Sequence, residues 1–252
     1  MAKLYFRYGV MGSSKTANAL MVRYNYEERG QEALLVKPEL DQRDGAKFVA
    51  SRMGLSHTCI YFSELQAMPE EKVRGYACVI VDEAQFLSRD EVQYLVGVVD
   101  DWNVPVICYG LRADFAGQLF PGSQELLAVA DIIEEVKTIC WCGKKATYNA
   151  RFDQHGKVLR EGEQVVLGAN DQYIGLCRKH WREGNLGPGF PGNDAIPLCS
   201  RPGKRPPPPV GAPAGARPER RIGRVPQRDF ASGAPASAWA PVLPPNNGIR
   251  AL

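Results

Sequence analysis

The chain has 252 residues, with 31 Lys and Arg against 28 Asp and Glu for a formal net charge of +3. The charge is unevenly spread: residues 1–181 carry 21 basic and 24 acidic side chains, whereas residues 182–252 carry 10 and 4, so the body is −3 and the tail +6. An acidic body lacks the basic footprint of a nucleic-acid binder, no run nears the roughly 18 apolar residues of a membrane span, and no amino-terminal stretch has signal-peptide order. We therefore expect a cytoplasmic protein with neither membrane nor nucleic acid among its partners.

In chain order, residues 4–8 form an apolar strand-like run, and residues 17–29 have the pattern of a helix. Between them runs Gly9-Val10-Met11-Gly12-Ser13-Ser14-Lys15-Thr16. A loop turning from strand to helix aims backbone N–H groups and the positive end of the helix dipole at an anion. Lys15 is placed to reach the β- and γ-phosphates of ATP, and Thr16 to offer its hydroxyl to Mg²⁺. Ser14 stands where the usual G-x-x-x-x-G-K-[ST] pattern has its second glycine. Gly12 is expected to take the positive-φ role two residues early.

Further apolar runs cover residues 33–36, 59–62, 78–81 and 104–109, with a second helical pattern at 90–102. Strands alternating with helices predict an α/β fold built on a mostly parallel sheet of the P-loop NTPase (RecA-like) type. Ligands in such folds gather at the carboxyl ends of the strands. That directs attention to Gly9 onward, to 38–45, to 82–85 and to 110–120. The strand order does not follow from the sequence.

The second of these loops contains Asp41-Gln42-Arg43, whose Arg is placed to stabilise a transferring phosphoryl group or simply to pair with a surface carboxylate. The run at 78–81 ends in Asp82-Glu83, the second signature of a phosphate-loop protein. Asp82 would help hold Mg²⁺ beside Thr16, and Glu83 would face the terminal phosphate. Its carboxylate can take a proton from water, as in an ATPase, or from a substrate hydroxyl, as in a kinase.

Near Lys137 the character changes from long alternating elements to short polar turns with cysteines, so we divide the chain at that point. Cys140-x-Cys142 and Cys177-x-x-His180 are two close ligand pairs separated by 34 residues. Four soft donors of this kind complete a tetrahedral, structural Zn²⁺ site and define a small zinc-ribbon-like subdomain over residues 138–183. Between the pairs, residues 162–173 read as an apolar strand and a glycine-containing loop, able to close over a flat ligand with Tyr173, Phe86, Phe115 and Phe120 as aromatic faces. Cys59, Cys78 and Cys108 lie in apolar runs and read as core, while Cys199 has no evident role. Of 19 prolines, 15 follow residue 184, and 184–252 reads as a disordered tail.

In this order, the phosphate loop Gly9–Thr16, Asp41-x-Arg43, Asp82-Glu83-Ala84-Gln85-Phe86, Tyr109-Gly110-Leu111-Arg112-x-Asp114-Phe115, the zinc pairs and Tyr173 together resemble the type II thymidine kinase family. The resemblance covers residues 1–181. It implies transfer of the ATP γ-phosphate to the 5′-hydroxyl of thymidine, with Glu83 as general base and Lys15 and Arg43 stabilising phosphoryl charge. ATP would lie against Gly9 to Thr16 and Asp82 to Gln85, with Mg²⁺ held near Thr16, Asp82 and Asp41. Thymidine would lie against Phe86, Leu111, Phe115, Phe120, Val165, Val166, Leu167, Gly168 and Tyr173. The resemblance also implies a homotetramer inhibited by thymidine triphosphate. Two other readings share the same motifs: a phosphate-loop ATPase whose zinc module binds nucleic acid or a protein, and a nucleotide sensor without chemistry.

Overall fold

Three central strands are apolar and buried on both faces, which is why they read as continuous hydrophobic runs instead of alternating ones. The structure, a computed structural model, describes residues 1–41, 47–164 and 172–190. In chain order the first half comprises β1 (Leu4–Tyr8), α1 (Lys15–Glu27), β2 (Ala33–Lys37), β3 (Phe48–Ala50), β4 (Ser56–Thr58), β5 (Ile60–Tyr61), α2 (Phe62–Gln66), α3 (Glu70–Arg74) and β6 (Cys78–Val81). A single 3-10 turn (Ala84–Phe86) follows, then α4 (Arg89–Asp100), β7 (Val106–Gly110), α5 (Pro121–Val129) and β8 (Ile132–Glu135). The remainder is β9 (Tyr148–Phe152), β10 (Val158–Leu159), β11 (Tyr173–Leu176) and α6 (Arg178–Glu183).

Six strands form one sheet in the order β5-β2-β6-β7-β1-β8, and every pairing in it is parallel. Alternate residues of its strands feed two cores. Phe6, Val36, Val79, Val81 and Cys108 meet Val92, Leu95 and Val99 of α4 and Leu126 of α5 on one face. Leu35, Cys78, Ile80, Ile107 and Tyr109 meet Ala19 and Leu20 of α1 on the other. Cys59, Cys78 and Cys108 are buried in these cores. Helix α4 starts on a reciprocal cap: Ser88 Oγ accepts from Glu91 N–H at 3.2 Å, and Glu91 Oε2 accepts from Ser88 N–H at 2.7 Å.

Element bounds depart from the sequence expectation where local geometry overrides apolar period. Helix α1 starts at Lys15, not at 17, because the phosphate loop turns directly into it, and it ends at Glu27 before the turn at Gly30. The third strand shrinks to Ile60–Tyr61 because Phe62 opens α2. The last central strand starts at Val106, since Val104 N–H is drawn back to Val98 of α4. The hairpin β3–β4, helices α2, α3 and α5, and edge strand β8 have no counterpart in that expectation.

A three-stranded antiparallel sheet, β10-β9-β11, packs a further core of Cys140, Ala146, Ala150, Leu176, Cys177 and Leu186 that takes in Val10 of the phosphate loop. Among the described residues no helix is long and apolar enough to cross a membrane. Residues Arg43, Val165, Val166, Leu167 and Gly168, the apolar strand expected within 162–173, Cys199 and most of the tail lie outside the described residues.

Candidate active site

The carboxyl ends of β1, β6 and β7 converge on one cavity of about 270 Å³, lined by Gly12, Lys15, Thr16, Glu83 and Leu111 among others. At its floor the chain leaves β1 and enters α1 without an acidic residue in the first helical turn, and among the described residues no side chain caps that turn. The positive end of the helix is therefore left for an anion. Gly12 has φ +76°, as expected, but Ser14 is left-handed as well, with φ 64° and ψ 28°. The loop keeps the shape a second glycine would give it, at about 1–2 kcal/mol of backbone strain. Gly12 adds to Ser14 without relieving it. Lys15 is buried, and its Nζ donates to Val10 O at 3.1 Å.

Asp82 and Glu83 close β6, and both are buried. Burial, followed by the charge of Glu83, pushes the Asp82 carboxyl up to about 7, against a hydrogen bond from the Thr16 side chain. Among the described residues Asp82 Oδ1 is buried without a hydrogen-bond partner. An orphaned carboxylate oxygen next to a threonine hydroxyl is a donor set that suits a hard cation such as Mg²⁺. Asp41, also buried, follows β2 in a turn whose N–H reaches Pro38 O at 3.1 Å.

Glu83 is itself left-handed, with φ 51° and ψ 36°. Its Oε2 accepts from Gln85 Nε2 at 2.5 Å, while Gln85 Oε1 accepts from Leu111 N–H at 2.9 Å. A fully buried carboxamide thus joins the carboxylate to the loop after β7. Gly110 makes the approach possible: a Cβ there would lie 2.8 Å from Gln85 Oε1 and 3.0 Å from its backbone nitrogen.

Leu111 lines the cavity. Phe86 is half-buried and meets the buried Phe120 edge-on at 5.9 Å. Phe115 is 1% exposed, lies under the Arg151 guanidinium at 5.4 Å, and offers its carbonyl to Trp181 Nε1 at 3.1 Å. Tyr173 opens β11, half-buried. Gln164, at the edge of the undescribed segment, donates to Asp114 Oδ2 at 3.0 Å.

The ligating atoms of Cys140, Cys142, Cys177 and His180 all lie within 4.8 Å of one another. Cys140 Sγ is 3.3 Å and Cys177 Sγ 3.5 Å from His180 Nδ1, and Cys142 Sγ is 4.0 Å from Cys177 Sγ. The edges of a zinc tetrahedron with S and N ligands are roughly 3.5–3.8 Å, so the cluster fits Zn²⁺ with all four positions filled by protein. The Trp141 ring stacks on His180 at 4.2 Å and 15°, fixing the imidazole plane.

Two parts of the site escape the sequence reading. Ala50, Ser51, Arg52 and Met53, at the turn of the β3–β4 hairpin, line the same cavity as the phosphate loop. Their only signal is a short polar turn ending at Gly54. Asn149 accepts from Met11 N–H in the phosphate loop at 2.8 Å and has no local sequence signal at all.

A model of the thymidine kinase family matches residues 2–181. The chain belongs to that family. It is therefore a nucleotide-binding phosphotransferase. It is 47% identical over 199 residues to the thymidine kinase of Legionella pneumophila (strain Lens), covering 77% of this chain and 95% of that protein. It is 48% identical over 198 residues to the thymidine kinase of Ruegeria pomeroyi, covering 77% and 100%, and 46% identical over 188 residues to that of Idiomarina loihiensis, covering 73% and 97%. Among solved structures, the replication initiator DnaA bound to AMPPCP and single-stranded DNA overlays 54% of this chain and 41% of its own with a TM-score of 0.36 at 15% identity. A likeness that weak carries no argument.

Proposed function

We propose that this chain transfers the γ-phosphoryl group of ATP to the 5′-hydroxyl of thymidine, yielding ADP and thymidine monophosphate. The observation that carries the chemistry is Glu83: it lines the same cavity as Lys15 and Thr16, and Gln85 holds it there. Glu83 takes the proton of the 5′-hydroxyl as that oxygen bonds to the γ-phosphorus and the bond to the β–γ bridging oxygen breaks. Lys15 and Arg43 neutralise the equatorial oxygens. Thr16, Asp82 and Asp41 would hold Mg²⁺, which would supply positive charge to offset that of the phosphates. The phosphate loop from Gly9 to Thr16 and the turn from Asp82 to Gln85 hold the nucleotide.

Thymidine then occupies the space beside Leu111, with Phe86, Phe115, Phe120 and Tyr173 framing it. The segment of Val165, Val166, Leu167 and Gly168 reads the base through backbone groups and excludes water. Residues 1–137 serve as the nucleotide-binding domain and residues 138–183 as the zinc-bearing lid, with zinc structural. The enzyme acts in the cytoplasm as a homotetramer, and thymidine triphosphate inhibits it. The ATPase reading is disfavoured by the family match and by the net-acidic body, since an enzyme that tracks a nucleic acid needs a basic groove.

The test is ADP release measured with thymidine, deoxycytidine, deoxyadenosine, single-stranded DNA or nothing added. Stimulation by thymidine alone is the expected result. Equal release without a nucleoside, or stimulation by DNA, would overturn the proposal.

A further inference from the structure

One residue pair of the three-stranded sheet grips the phosphate loop. Asn149 of β9 and Gly175 of β11 are register partners. Asn149, 4% exposed, makes two hydrogen bonds at once: Oδ1 accepts from Met11 N–H at 2.8 Å, and Nδ2 donates to Ala113 O at 2.8 Å. Opposite it, a Cβ on Gly175 would lie 3.0 Å from Val10 Cγ2 and 3.4 Å from Met11 O, so the strand lies directly against the loop. Two residues further along is the zinc ligand Cys177.

The consequence follows from peptide planarity. The N–H of Met11 and the C=O of Val10 are opposite ends of one rigid group. By drawing the N–H outward, Asn149 turns the Val10 carbonyl the other way, where it accepts from Lys15 Nζ at 3.1 Å and Ser13 N–H at 3.2 Å. Its other arm holds the loop after β7, which carries the cavity residue Leu111.

We infer that Asn149 is a positioning residue for the phosphate loop, orienting the Val10–Met11 peptide and through it Lys15, and that this is how the zinc-bearing sheet sets ATP affinity. The inference rests on reading the cavity as the ATP site. It does not depend on which nucleoside is phosphorylated.

The experiment compares the wild type with Asn149→Leu, which removes both hydrogen bonds at similar volume, and Asn149→Asp, which keeps the acceptor for Met11 and loses the donor to Ala113. Magnesium-ATP affinity is measured by calorimetry without nucleoside, alongside KM for ATP and for thymidine, zinc content and Tm. Asn149→Leu is expected to weaken ATP by about tenfold in Kd and KM, with a smaller rise in thymidine KM from the loosened Leu111 loop and one zinc per chain retained. Asn149→Asp is expected to bind ATP better than Asn149→Leu yet short of the wild type, because the acceptor it keeps for Met11 N–H is offset by a negative charge beside the phosphates. Unchanged ATP affinity in Asn149→Leu, an Asp variant no better than Leu, or a parallel loss of zinc, Tm and both KM values would overturn the inference. A wild type that binds ATP yet releases no ADP with thymidine would defeat the proposed function alone, since the calorimetric comparison stands without it.

Discussion

Of the four non-glycine residues in the left-handed region among the described residues, Ser14, Lys47, Glu83 and Asn103, two lie on the cavity: Ser14 at the helix entry and Glu83 at the end of β6. Each costs about 1–2 kcal/mol, and such strain persists where surrounding contacts over-determine it. For Glu83 those contacts include the Gln85 carboxamide and, through it, Leu111 N–H. We expect Glu83→Gln to lower kcat by roughly a hundredfold or more while calorimetry still detects ATP binding. Near-normal turnover would remove Glu83 from the role of base. For Ser14, glycine should be neutral to stabilising by up to about 1 kcal/mol in urea denaturation, and valine destabilising by about 1–2 kcal/mol. A valine variant as stable as the wild type would mean the left-handed turn is not held in solution. The identities of Lys15, Thr16, Asp82 and Glu83 were legible because each motif lies within a few consecutive residues. The conformation of Ser14 was not, because whether glycine's absence deforms a loop or is tolerated depends on contacts outside it.

At the scale of elements, the phosphate-loop strand and helix, the three central strands and the zinc pairs could all be read from the chain, since each is local or carries an unmistakable donor set. The β3–β4 hairpin could not. Its strands are three residues long, and Phe48 and Met53 are exposed, so no apolar period marks them. The grip of Asn149 on Met11 was equally hidden, because it spans 138 residues and consists of one carboxamide. The zinc-bearing elements are linked to the lid by sequence: Cys177 follows β11, whose first residue, Tyr173, closes the segment proposed to cover the nucleoside. Loss of metal should therefore loosen that cover. We expect Cys177→Ser to lose zinc and to raise ATP hydrolysis relative to phosphoryl transfer, measured as inorganic phosphate against thymidine monophosphate. A zinc-depleted variant with unchanged coupling would sever the proposed link.

For the whole molecule, the parallel fold class was legible from the alternation of strands and helices, but the order β5-β2-β6-β7-β1-β8 was not. It places β1 between two strands roughly a hundred residues downstream, pairing Leu4 with Val106 and Tyr5 with Ile132, and nothing in a single sequence ranks such pairings. The edge strand β8 presents Ile133 at 44% exposure. Assembly is tested by light scattering, where the proposed tetramer should give a mass near four times the 27.8 kDa of the chain. A single-chain mass would contradict it. The central claim is that the cavity sends the γ-phosphate to a nucleoside oxygen and not to water. The most direct measurement follows radiolabel from the γ-position of ATP in the presence of thymidine and resolves the products. The account predicts label in thymidine monophosphate, dependent on Glu83, with little inorganic phosphate. Label released as inorganic phosphate at the same rate with and without thymidine would contradict it.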